Sequence, residues 1–301
     1  MSRFSSKQKN YDIGGVEIGG QPGERPTVLI GSIFHAGHRI VQDPMRGIFD
    51  RDKAKILLDR EMEMAATTGN RCFIDVVGET SEALKKYIEF VADYTSSPIL
   101  VDSPLQDVRM KIVKYFAGSE LVPRLIYNSI AEDYTDEELV CLKECGVKSA
   151  IVLAFTRRAV KPSDKLKLLH DELIPAAESA GIENILVDTG VLDVPSIGWA
   201  SQAIHEVKEK LGYPAGCAPA NAIYTWHKMK ALGSPAFQAA ASAVLAIAQS
   251  QGADFLFYGS LQNASWVYPA VAAVDGLIAY MGRLGGVVPM TRDHPLYKVF
   301  Q

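Results

Sequence analysis

The chain reads as an α/β protein of the (β/α)8 TIM-barrel class, on three observations. Short β-branched apolar runs recur, each ending in a polar residue: Arg71-Cys-Phe-Ile-Asp75, Pro98-Ile-Leu-Val-Asp102, Arg124-Leu-Ile-Tyr-Asn-Ser129 and Asn184-Ile-Leu-Val-Asp188. Such runs are the mark of parallel strands buried on both faces. About eight of them alternate with helical patterns at roughly 25 to 45 residue spacing, as a barrel requires. No GxGxxG or GxxxxGK[ST] follows any expected strand, which removes the usual signature of an open doubly wound sheet.

The sequence has 301 residues, 48% of them hydrophobic, with a formal net charge of -4. That is enough chain for one barrel, expected over 1–301 with a hairpin-like extension at about 1–26. Mild acidity and the lack of a basic stripe with interleaved aromatics give no reason to expect nucleic acid. No uninterrupted run approaches the roughly 18 apolar residues of a membrane span, and none follows Met1 to Lys7 as a signal peptide would require; a cytoplasmic location is expected. Cys72, Cys141, Cys145 and Cys217 show no disulfide framework. Cys141 and Cys145 share a helix face at i, i+4, but without a nearby His or CxxC they read as small buried hydrophobes.

Taken in order, Tyr11-Asp-Ile-Gly-Gly-Val-Glu-Ile-Gly-Gly20 reads as a glycine-turn hairpin serving as a lid. Strand one is Thr27 to Ser32. The loop Ile33 to Phe49, with His35, His38 and Arg46, exceeds the usual two to six residues and is a candidate functional loop. A helix follows from about Asp52 to Thr68. Strand two ends at Asp75, strand three at Asp102-Ser103 and strand four at Asn128-Ser129. Glu79-Thr-Ser-Glu82 opens the second helix, and Thr135 caps the fourth ahead of an acidic first turn. Strand five is Ala150 to Thr156, with Arg157 and Arg158 after it and a helix from Lys165 to Ala180. Strand six ends at Asp188. Strand seven, Pro214 to Ala222, is small rather than β-branched, yet its place between two helices asks for a strand. Strand eight is Asp254 to Gly259, and Val267 to Arg283 closes the shell.

In a barrel the C-terminal strand ends surround one mouth, where the chemistry sits. Asp75, Asp102, Asn128, Asp188 and Asn221 would form one ring there. Some of these carboxylates could instead cap helices, Asp102 with Gln106 being the plausible case. No expected strand ends in lysine, which argues against a Schiff-base aldolase. The histidines lie away from strand ends, which argues against a metallohydrolase. What remains is a metal-free mouth of carboxylates and amides, suited to a heterocycle with a fused amino-pyrimidinone edge.

Gly19-Gly-Gln-Pro-Gly-Glu-Arg-Pro-Thr-Val-Leu-Ile-Gly-Ser-Ile-Phe34, Gly37-His-Arg-Ile-Val41, Val101-Asp-Ser103 with Val108-Arg109, and Ile126-Tyr-Asn-Ser-Ile130 closely resemble the H-subunit family of tetrahydromethanopterin S-methyltransferase. Its stand-alone bacterial branch includes methylcobalamin:tetrahydrofolate methyltransferases of glycine betaine demethylation, which this chain resembles over nearly its whole length. The resemblance implies a methyltransferase, usually dimeric, moving a methyl group between methylcobalamin on a corrinoid carrier protein and N5 of a tetrahydropterin, here tetrahydrofolate. It implies pterin contacts at Asp102, Asn128, Asp188 and Asn221, with Ser103 adjoining and Asp75 as an indirect contact. Asn221, near N5, and Asp188 carry the catalytic expectation. Pro219-Ala-Asn221 departs from the Ser-Asn pair common in pterin-binding relatives. An aspartate can accept the adjacent N3–H and amino donors of a pterin together, with Asp188 or Asp102 suited to it. The chain has no DxHxxG cobalt-ligating motif, so the corrinoid is expected on a separate protein; His35, His38, Arg46, Arg157 and Arg158 are candidates for its docking rim or for a glutamate tail. A tetrahydromethanopterin-specific methyltransferase component, a dihydropteroate synthase and a non-catalytic scaffold of a methyltransferase complex are the alternatives. The second would want a strand-end lysine and a Ser-x-Arg near the chain end, and neither is in place.

Overall fold

The computed structural model describes residues 3–300; Met1, Ser2 and Gln301 of the expected span lie outside it. Eight parallel strands close into a barrel in sequence order. They are β1 (Val28–Ile33), β2 (Cys72–Val77), β3 (Ile99–Asp102), β4 (Leu125–Ile130), β5 (Ser149–Leu153), β6 (Asn184–Asp188), β7 (Ala215–Cys217) and β8 (Phe255–Ser260). The main helices around them are α1 (Arg51–Thr68), α2 (Ser81–Tyr94), α3 (Gln106–Phe116), α4 (Asp136–Glu144), α5 (Pro162–Leu168), α6 (Ile197–Lys210), α7 (Ser234–Ser250) and α8 (Ala264–Gly282). The (β/α)8 expectation holds. β5 stops three residues short of Thr156, whose hydroxyl accepts from Arg158 N and Ala159 N and turns the chain into a loop. The helix expected over Lys165 to Ala180 continues past α5 through a wider π turn, Leu169–Leu173, just before Pro175, which cannot donate to a regular helical bond.

Side chains alternate across a strand with period two, so each strand contributes one row to the barrel interior and one to the helices. Val28, Ile30, Phe73, Leu100, Ile126 and Leu186 fill the interior, while Leu29, Ile74, Val101, Tyr127 and Val187 pack outward into the helix shell. Two residues further along the same inward rows stand Ser32, Asp75, Asp102, Asn128 and Asp188. The rule that buries the lower barrel therefore lifts five polar side chains to the mouth.

The amino-terminal hairpin pairs Asn10–Ile13 with Val16–Gly19 antiparallel. It is a floor, not the expected lid. Ile13 and Ile18 are fully buried in the interior cluster with Val28, Phe73 and Ile126, and Gly14 lies against Arg124 and Pro98, just ahead of β4 and β3. Apolar tips have more interior surface to cover at the open bottom than at a polar mouth.

Thr135 caps α4 by accepting from Glu138 N, as expected, whereas α3 has no side-chain cap, so Asp102 is free of that duty. The four cysteines are buried free thiols. The run Leu261–Gly285, which contains α8, has the length and mean hydropathy (1.2) to cross a membrane, with half of its most apolar window buried in the fold.

Replacing Ile18 by alanine should remove buried floor contacts and lower unfolding free energy by about 2–4 kcal/mol. Urea titration checks this, and ligand affinity at the opposite end of the barrel should stay within about twofold.

Candidate functional site

A cavity of about 570 Å3 opens at the C-terminal end of the barrel. Asp75, Asp102, Ser103, Asn128, Asp188 and Asn221 all line it, so every residue expected at the site is brought together there. Strand register explains the arrangement: Ser32 lies beside Asp75 across β1 and β2, and Asp102 beside Asn128 across β3 and β4.

Asp75 and Asp102 are neighbours at the mouth, close enough for each to shift the other's titration. Burial pushes the Asp75 carboxyl up to about 6, opposed by hydrogen bonds from Ser32 (2.6 Å), Asn128 Nδ2 (3.4 Å) and Asp102. Burial, then the charge on Asp75, raises Asp102 well above the usual carboxylate range, and Arg109 offsets only part of this. Both shifts disfavour a state in which the two carboxyl groups are ionised together. Asp75 was expected only as an indirect contact; it lines the cavity directly.

Asp188 differs. Its Oδ1 accepts from Gly190 N at 2.7 Å, while Oδ2 has no partner among the described residues. Burial raises its pKa to about 6, with the Gly190 N–H and Lys165 opposing, so it is mostly ionised at neutral pH. An ionised carboxylate with one uncommitted oxygen is an acceptor awaiting donors.

Asn221 stands on the short helical turn Ala220–Ile223 that follows β7, exposed at the cavity edge with no side-chain bond to the described residues. Ser103 is buried; its Oγ accepts from Leu105 N and its carbonyl from Arg109 Nη1 at 2.6 Å. Arg109 also reaches Ser129 O and Glu138, and Glu138 accepts from Tyr127 and Gln106, tying the loops after β3 and β4 together. Leu153, Val191, Ala218 and Phe257 supply apolar walls. Polar and apolar groups thus line the cavity together, the usual mixture in small-molecule sites.

The residues expected at a docking rim or tail contact fall in several places. His38 is buried: its Nδ1 accepts from Phe34 N at 3.0 Å, Nε2 faces Gln262, and burial with His35 nearby lowers its pKa to about 4. It is a neutral brace for the first loop, and desolvation explains why it is not a rim cation. His35 stacks on it at 4.6 Å between centroids and lines the cavity. Arg158 faces a separate hollow with Glu132, Asp164 and Asp171, while Arg157 borders a small annex between the loops after β5 and β6.

The sequence reading missed Ser32, Arg109 and Lys165 as site residues. Ser32 was legible, since it continues the inward row of Val28 and Ile30. Arg109 and Lys165 act through tertiary contacts to strand-end carbonyls, and helix periodicity carries no sign of those.

The class is that of (β/α)8 barrels with a polar, carboxylate-lined mouth at the C-terminal strand ends. Solved structures with this fold include dihydropteroate synthases from Xanthomonas albilineans (TM-score 0.60, 18% identity, 89% of this chain and 98% of that one) and Yersinia pestis (TM-score 0.62, 16% identity, 90% and 99%). Residues 6–290 match the family described as the tetrahydromethanopterin S-methyltransferase MtrH subunit. The H-subunits of tetrahydromethanopterin S-methyltransferase from Methanopyrus kandleri and Methanothermobacter thermautotrophicus are 38% and 36% identical over 96% and 99% of this chain, covering 96% and 100% of their own lengths. The chain belongs to this methyltransferase family.

Because its folded pKa lies above the unfolded value of 3.8, Asp188 binds its proton more tightly when folded, and the stability this gives is lost as pH rises toward about 6. Asp188→Asn keeps the acceptor for Gly190 and removes the charge. It should raise unfolding free energy by about 1–3 kcal/mol near pH 7.5 and by much less near pH 4, as read by urea titration at both values.

Proposed function

We propose that the chain transfers a methyl group between a corrinoid and N5 of a tetrahydropterin bound in the barrel mouth. The observation that carries the reading is the arrangement of three carboxyl groups lining one cavity: Asp188 stands apart with one oxygen that has no partner among the described residues, while Asp75 and Asp102 sit as neighbours, each raised above the usual carboxylate range. Asp188 suits the adjacent N3–H and amino donors of the pterin better than Asp102, whose raised pKa favours a proton shared with Asp75. Asn128 can then donate to ring acceptors through its amide, and Asn221 at the edge can accept from or donate to N5 in either protonation state.

The corrinoid supplies the methyl group and keeps the bonding electron pair when N5 takes the carbon. The protein need form no covalent bond to substrate. Its residues hold the ring edge-on between apolar walls so that N5 faces the opening, and much of the acceleration comes from that positioning. In the opposite direction N5 needs a proton or a strong donor before the methyl group can leave. The raised pKa values of Asp75 and Asp102 favour keeping a proton on that pair within the cavity.

The same headgroup occurs in tetrahydromethanopterin and tetrahydrofolate. The names of the full-length relatives support tetrahydromethanopterin as the pterin; the tetrahydrofolate expected from the sequence, with its glycine betaine context, is the alternative. A corrinoid-bearing partner over the mouth, pairing of two chains and a cytoplasmic location belong to the same reading. That the relatives are named as one component of a larger methyltransferase supports a partner.

Anaerobic mixing of the purified protein with methylcobalamin and each tetrahydropterin tests the proposal. Bleaching of methylcobalamin with formation of the N5-methyl product is expected, at a rate lowered about hundredfold or more by Asn221→Ala or Asp188→Ala. Binding without turnover, even with a corrinoid protein added, would favour the scaffold alternative. Failure of any tetrahydropterin to bind would overturn the pterin reading.

A further inference from the structure

Beside the main cavity, between the loops after β5 and β6, lies a second hollow of about 200 Å3. It shares Phe155 and Gly190 with the main cavity, so the two adjoin. Its volume falls below the roughly 300 Å3 at which independent small-molecule sites begin, which makes it an annex. Phe155, Ala159, Val160 and Leu192 give it apolar walls, and Arg157 and Ser196 border it.

Lys165 also lines this annex. It is only 4% exposed and forms no ion pair among the described residues. Two of its three N–H bonds have partners, at Ala154 O (2.9 Å) and Gly190 O (3.5 Å). One donor remains, on a cation held in a largely apolar hollow, an arrangement that is costly without an acceptor. Gly190 permits the layout: its φ is +64°, and a Cβ there would lie 2.7 Å from Phe155 Cβ, closing the passage between the cavities.

We propose that this annex receives the aromatic ring of the tetrahydropterin side chain, with an oxygen of the ring's substituent accepting from Lys165. The inference rests on the pterin reading and deepens it by assigning the tail to one gap in the rim. A ring fits between Phe155 and Leu192, where burying its faces adds affinity without touching the headgroup. The exposed Arg157 at the border meets any acidic group further along the tail.

Calorimetric affinities for 6-methyltetrahydropterin, which has no aryl tail, tetrahydrofolate and tetrahydromethanopterin test it. Wild type should bind the better tailed compound at least about tenfold tighter than the tail-less one. Ala159→Phe, which fills the annex, and Leu192→Trp, which covers it from an exposed loop position, should each reduce that advantage to within about twofold. Their affinity for 6-methyltetrahydropterin should stay at the wild-type value. Retention of the full advantage in Leu192→Trp and in a folded Ala159→Phe would overturn the proposal; if Ala159→Phe does not fold, Leu192→Trp decides. Failure of 6-methyltetrahydropterin and both tailed compounds to bind wild type would instead remove the pterin reading beneath it.

Discussion

The closeness of two carboxyl groups, Asp75 and Asp102, in one mouth is the constraint on which the rest depends. Asp75 is buried and Asp102 partly so, and desolvation with mutual repulsion disfavours charge on both at once. Both are pushed above the usual carboxylate range, which favours one proton held between them. Ser32 and Asn128 complete the arrangement by donating to Asp75, so that neither acid needs a metal or a lysine to stay buried. A third acid, Asp188, stays apart, stabilised by the Gly190 N–H and the charge of Lys165. One mouth thus places the amide donors of Asn128 and Asn221 beside the mostly ionised acceptor Asp188, which a heterocycle with mixed edges requires.

The rest of the barrel serves that arrangement. The inward rows change from apolar to polar within one residue pair, as from Phe73 to Asp75 and from Leu186 to Asp188, so the site rests on a packed floor sealed by Ile13 and Ile18. Arg109 and Glu138 tie Ser103, after β3, to Ser129 near the end of β4, and Lys165 ties the segments just after β5 and β6 at Ala154 and Gly190. These braces limit the movement of side chains whose usefulness depends on position.

Much of this was legible in the sequence, for a physical reason. A parallel strand buried on both faces tolerates a polar residue best near its end, so Asp102 and Asp188 announce both the strand and the mouth. Asp75 and Asn128 lie two residues inside β2 and β4 rather than at their ends, yet period two still faces them inward. The site of the hairpin was not legible: Ile13 and Ile18 show that it buries a face, and nothing local says which end of the barrel offers one. His38 misled because a loop histidine reads as exposed, while its burial comes from Phe34, Gln262 and the stacked His35. Lys165 carried no local sign, since its partners are carbonyls 11 and 25 residues away.

The state of the carboxyl pair is open to direct observation by infrared spectroscopy of the ligand-free protein at neutral pH. A protonated-carboxyl stretch that disappears in Asp102→Asn, and shifts in wild type when 6-methyltetrahydropterin binds, is the predicted result. If wild type shows no protonated carboxyl at neutral pH, or if the band survives in Asp102→Asn unaltered, the shared proton is absent from this site and the account of the mouth fails with it.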